Sequence, residues 1–159
     1  MAHGIFRGDN VTSITDPAKI RTIQTYGDID NGAPIVLGAL ASTGKYAGEA
    51  EVFATSAATG AAAADVWVVT TPEIDYTNYA LADFFNANGA IGRAIKMEKA
   101  DIFSVTSEVL SALPNANETF YAAAGNGQWT VSNANTKAFA KYLGSDVQDG
   151  VTFYAFEVL

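Results

Sequence analysis

Short apolar runs broken by glycine, asparagine and aspartate recur along this chain, and they predict strands far more often than helices. Thr22 to Tyr26 is the first β-compatible run, closed by the turn cluster Gly27-Asp28-Ile29-Asp30-Asn31-Gly32. Ile35 to Leu40 follows Pro34 and stops before Ser42-Thr43-Gly44. Asn31-Gly32, between these runs, is a dipeptide that hairpin turns favour. From Tyr46 to Thr55 the residues alternate, with Tyr46, Gly48, Ala50, Val52 and Ala54 on one parity and Glu49, Glu51 and Phe53 on the other. Such alternation predicts a half-exposed strand. Val66-Trp67-Val68-Val69 is short and continuously apolar, as in a strand buried on both faces.

One stretch has helical spacing. Between Thr77 and Asn88, Leu81, Phe84 and Phe85 fall on one helix face, Asp75 or Thr77 supplies a cap, and Asn88-Gly89 supplies a stop. Ala94 to Met97 and Ile102 to Thr106 read as strands around a charged turn, and Ser107 to Leu113 as a short helix ended by Pro114. Thr119 to Ala124 and Gln128 to Ser132 flank Gly125-Asn126-Gly127, a hairpin signature. Phe139 to Leu143 and Val151 to Leu159 flank a longer turn containing Asp149-Gly150, and the last strand is apolar on both faces. That strand, with Phe156 near its middle, is expected either at the centre of a sheet or against another subunit. The fold class that follows is mainly β with one short helix (α+β as the variant), a small barrel or sandwich built from hairpins. The two C-terminal hairpins are the expected closure of the barrel. The Ala/Ser/Thr/Gly stretch from Ala54 to Ala64 is either a loop extension or an ordered connection.

The 159 residues fit one domain, and a chain of this size can bury a core without staples. Hydrophobic residues make up 49% and charged residues only 16%, so either the interior is large or part of the outside is covered by another chain. With a net charge of −8 and scattered basic residues, a phosphate-tracking surface is not expected, so no direct nucleic-acid partner is assigned. Cysteine is absent, which excludes disulfides and thiol chemistry. The start, MAHGIFRGDN, lacks an apolar leader, and no run reaches the length of a membrane-spanning helix. Synthesis in a cytoplasm and no membrane partner are the expectations.

Catalytic constellations fail one by one. His3 is the sole histidine, in a terminus expected to be flexible, and an incidental role is its simplest reading. Without a second histidine or a cysteine the usual zinc sets cannot assemble. No Gly-x-Ser-x-Gly elbow or lysine-bearing phosphate loop is present. Glu49 and Glu51 share a strand parity about 7 Å apart, a glycosidase-like spacing that exposed strands also show routinely. Asp28-Ile29-Asp30-Asn31-Gly32 has a superficial calcium-loop look but lacks the downstream glutamate, and it reads better as an Asx-rich turn. No enzyme activity, cofactor or metal is assigned. Trp67 is expected in the core. Trp129, near a hairpin tip, and Tyr76 and Tyr79, around the helix start, are open between core packing, subunit contact and, more weakly, a sugar site.

Two segments carry a resemblance. Ile5-Phe6-Arg7-Gly8-Asp9-Asn10-Val11 leads into Thr12-Ser13-Ile14-Thr15-Asp16, and Lys99-Ala100-Asp101-Ile102-Phe103-Ser104-Val105-Thr106 leads into Ser107-Glu108-Val109-Leu110. With the glycine turn and strand from Gly127 to Ser132, they resemble the head decoration, or capsid cement, proteins of tailed bacteriophages. The resemblance implies a virion protein made in the host cytoplasm that binds the major capsid protein on the outer surface of the expanded head, as a homo-oligomer with a trimer favoured. It also implies an extended N-terminal arm over residues 1–15, ahead of a single β-rich domain over 16–159. Ile5, Phe6 and Val11 would be its apolar anchors and Arg7 would meet a capsid acid. Tyr76, Tyr79, Trp129 and Phe156 are candidate subunit contacts, with core packing the alternative. The chain is longer than the compact lambda-like subunit, with Tyr46 to Ala64 as the extra region. A tail-tube, adaptor or fibre-domain subunit and a carbohydrate-binding surface module are the alternatives.

Overall fold

The computed structural model describes residues 2–73, 80–122, 127–131 and 137–159, and it is mainly β. Five strands close a barrel: β2 (Ile20–Gln24), β3 (Pro34–Leu40), β4 (Val52–Ala57), β5 (Val66–Val69) and β6 (Ile91–Ile95), in the order β2-β4-β3-β5-β6. Closure rests on β2, which pairs parallel with β4 and antiparallel with β6. Alternate residues face inward and fill so narrow a barrel with side chains. Ile23, Ile29, Ala33, Ile35, Val69 and Ala94 form the buried cluster there, with Leu37 and Trp67 packed against it.

The other strands build a sheet in the order β1-β7-β11-β10-β8-β9. They are β1 (Phe6–Asn10), β7 (Ile102–Val105), β8 (Thr119–Ala122), β9 (Trp129–Thr130), β10 (Ala140–Gln148) and β11 (Val151–Val158). One core joins sheet and barrel. Val66, Val68, Ile95 and Met97 from the barrel side meet Phe103, Val105, Phe120, Trp129, Phe139 and Phe156 from the sheet side. The aromatic rings interlock, with Phe103 5.6 Å from Phe156, and Trp129 4.8 Å from Phe139.

Several expectations change in detail. Both C-terminal hairpins form, but they lie in the open sheet, and the barrel comes from residues 20–95 instead. The β10–β11 turn is tight rather than long: Gln148 pairs with Val151, and Asp149 and Gly150 both take positive φ, at 50° and 81°. That is the backbone of a primed two-residue turn. Asn31-Gly32 does turn the chain, with Gly32 at φ 85°, but β4 lies between β2 and β3, so no hairpin results. The alternating stretch from Tyr46 becomes a strand only at Val52, because Gly48 and Glu51 take φ 84° and 74°. Residues 54–64 form an ordered connection of strand and turn.

The expected helix near Thr77 to Asn88 begins outside the described residues. Its remainder is a single 3-10 turn, Leu81–Asp83, after which the backbone of Asn86 exchanges both hydrogen bonds with Ile29. Leu81 is exposed and Asn86 buried, so the apolar spacing there does not face the core as a helix stripe would. Ser107–Val109 is likewise a 3-10 turn. No helix among the described residues is long and apolar enough to cross a membrane.

Candidate contact edge of the N-terminal strand

The N-terminal segment is extended, as its sequence suggests, yet it is laid into the chain's own sheet. β1 pairs antiparallel with β7, Phe6 opposite Val105 and Arg7 opposite Ser104. Ile5 and Val11, on either side of the strand, are buried at 6% and 4% exposure. The Ile5 amide donates to Thr106 Oγ1 at 3.1 Å, and the Thr106 amide donates back to the Ile5 carbonyl at 3.2 Å. Phe6 stacks on Phe103 at 6.3 Å. Beyond Val11, the Thr12 amide donates to Asp101 Oδ1 at 2.9 Å. The apolar anchors Ile5, Phe6 and Val11 therefore seat the strand in its own core.

His3 is ordered too. Its Nδ1 donates to Asp30 Oδ1 at 2.7 Å, its backbone amide donates to the Ala82 carbonyl at 2.7 Å, and its ring stacks on Phe85 at 4.7 Å. Gly4 follows with its amide on Asp30 Oδ2 at 2.9 Å. The sequence gives no sign of this clamp, because His3 and Asp30 are 27 positions apart and only the barrel turn brings them together. Asp30 thus serves a local anchoring role in the turn that resembled a calcium loop. Among the described residues no group of three or more His, Cys, Asp or Glu could hold a metal ion.

Arg7 spends its charge inside the chain. Its guanidinium lies 3.0 Å from Asp9 and 3.7 Å from Asp146, and 5.0 Å from the centre of the Phe153 ring. It ties β1 across the sheet to the β10–β11 hairpin. The strand's outer edge is nevertheless open, since β1 is terminal in the sheet and no described strand pairs with that side. Main-chain donors and acceptors on such an edge are a template for another strand.

The expected subunit-contact residues are elsewhere or inside. Trp129 is 1% exposed, and its Nε1–H donates to the Gly32 carbonyl at 2.8 Å. Phe156 is equally buried, packed on Phe120 at 4.9 Å. Both are core residues of the subunit, because a tip residue such as Trp129 is folded under by its bridge to Leu110. A sugar platform on Trp129 is ruled out by the same burial. Tyr76 and Tyr79 lie outside the described residues. Trp67, expected in the core, is only half buried. Arg21 and Lys96 lie over it at 5.5 and 5.6 Å. Burial pushes the Lys96 ammonium below its usual value, while the charge of Asp65 pulls it back up. Glu49 and Glu51 sit exposed in turns rather than on a strand face.

A cleft of about 490 Å³ opens beside His3, between Tyr26, Asp28 and Glu108. Burial raises the Tyr26 hydroxyl above its ordinary pKa. Further along the barrel, the Asn31 side chain donates to the Thr71 carbonyl at 2.8 Å and to Glu73 Oε1 at 2.9 Å. Burial raises the Glu73 carboxyl above the usual range, partly opposed by that bond from Asn31. These polar groups brace the loops at one end of the barrel. Comparison with family models, with curated proteins and with solved structures finds no match to this chain.

Proposed function

We propose that the chain is a structural subunit that binds the major capsid protein on the outer surface of a tailed-phage head and stabilises the expanded shell. The observation that carries this reading is the open outer edge of β1, a strand locked at both ends by Ile5 and Val11 and free along one side. A capsid strand added to that edge would be ordinary β-augmentation, with main-chain bonds supplying affinity. The low charge fraction and the acidic balance suit a subunit that spends most of its surface on protein contacts. Binding only the expanded lattice stabilises that state by mass action.

In this arrangement Arg7 acts from within, holding the hairpin against β1 rather than meeting a capsid acid. The test is co-sedimentation of the purified chain with expanded and unexpanded heads, followed by hydrogen exchange on the bound protein. Saturable binding to expanded heads with slower exchange in Phe6–Asn10 is the expected result. Absence of binding to either form of head overturns the reading.

A further inference from the structure

A second open edge runs along β10, and it is longer than that of β1. Only Ala140 and Lys141 of β10 pair with β8. From Leu143 to Gln148 the strand has β11 on one side and no described strand on the other. β11 meets β7 only over Tyr154 to Glu157, so the end of the hairpin projects from the sheet. The free stretch carries two bare aliphatic side chains, Leu143 at 49% and Val147 at 64% exposure. Its single charged residue, Asp146, lies 3.7 Å from Arg7. Edges of this length are normally blunted by lysine, proline or a covering segment. Here only the irregularity between Tyr142 and Gly144 interrupts the strand.

We propose that a second copy of the chain covers this edge with its own β10, paired antiparallel about a two-fold axis through Ser145. Position matching in an antiparallel ladder places the axis of two identical strands on a residue, so the registers can be compared one by one. With the axis on Ser145, Leu143 faces Val147 of the second copy, Asp146 faces Gly144, and no like charges meet. Ser145 and Val147 share a face by strand alternation, and the seam carries one Leu143–Val147 pair on each side of the Ser145 pair at the axis. On the opposite face Gly144 leaves room for the carboxylate of Asp146. An axis on Asp146 would set that carboxylate against itself. An axis on Gly144 would push Val147 alongside Lys141, where β8 already occupies the edge. An axis on Val147 leaves Leu143 without a partner. The assembly closes as a dimer, where the family resemblance implies a trimer.

The test uses the full chain without any phage head, so it stands or falls separately from the capsid reading. Sedimentation equilibrium should give a dimer. Ser145→Asp, at an exposed position outside the core, should keep the far-UV CD spectrum and weaken the dimer on the order of tenfold or more, through like charges placed opposite each other. The chain has no cysteine, so Ser145→Cys introduces a lone thiol that meets its own copy. Directly opposite residues in such a pair are ~4.5–5.5 Å apart at Cα, within the range a disulfide spans. Mild oxidation should cross-link Ser145→Cys quickly and Val147→Cys slowly, because Val147 faces Leu143. A monomer, a trimer, a dimer indifferent to Ser145→Asp, or equal cross-linking of both thiol variants overturns the proposal.

Discussion

At the scale of single residues, buried polar groups do the fine positioning, and Glu73 makes the cost measurable. Its carboxyl is held above the usual range by burial, so the folded state keeps a proton that the unfolded chain has already released. Stability therefore falls as pH rises from the unfolded value through the raised folded one, and stays lower above it. Glu73→Gln keeps an oxygen to accept from Asn31 and removes the charge. Denaturant unfolding followed from about pH 4 to pH 8 should show the variant gaining on the wild type as pH climbs. Parallel curves would mean that burial of Glu73 carries no such penalty. The local sequence marks Asn31 only as a turn residue and Glu73 not at all, because the bond between them joins loops about 40 residues apart in the chain. Gly4 is similarly silent: a Cβ there would sit 2.5 Å from Val109 Cγ1, a contact made only by the fold.

At the scale of elements, the N-terminal strand is the sharpest difference between sequence and structure. Its apolar positions are legible, but whether they face another protein or the chain's own sheet depends on β7, almost 100 residues away. The sequence reading implies that residues 2–15 can be removed without loss of the fold, and the structure implies the opposite. Deleting residues 2–11 strips Ile5 and Val11 from the core and uncovers Phe103. Burial of two such side chains is worth roughly 3–6 kcal/mol, a large part of a typical domain's stability. The truncated chain should melt far below the wild type or fail to fold, as thermal CD will show. An unchanged melting temperature would restore the free-arm picture. Turn chemistry fared by context: Asp149-Gly150 forms the tight hairpin it spells, whereas Asn31-Gly32 forms a turn whose flanking strands are separated by β4. Alternation misled at Glu49 and Glu51 because a glycine in the left-handed region, Gly48, had already bent the chain.

At the scale of the whole molecule, barrel and sheet share a core, and this decides how the chain unfolds. β5 contributes Val66 and Val68 to the same cluster as Phe103 and Phe156, while its Val69 belongs to the barrel's own cluster. Separating the two layers would strand those valines and the rings they touch, so neither layer is expected to persist alone. The two tryptophans sit on different layers, with Trp129 also tied to the barrel turn through the Gly32 carbonyl. Trp67 lies on the barrel under Arg21 and Lys96, and Trp129 lies in the sheet-side cluster. In Trp67→Phe the remaining fluorescence follows the sheet side, and in Trp129→Phe it follows the barrel. Trp129→Phe also leaves the Gly32 carbonyl without its donor, which should lower stability by about 1–3 kcal/mol. Each variant is therefore judged against its own far-UV CD curve rather than against the other. Coincident midpoints within each variant are the expected result. A fluorescence midpoint displaced from the CD midpoint in either variant would mean that barrel and sheet unfold as separate units, and that the shared valines do not couple them.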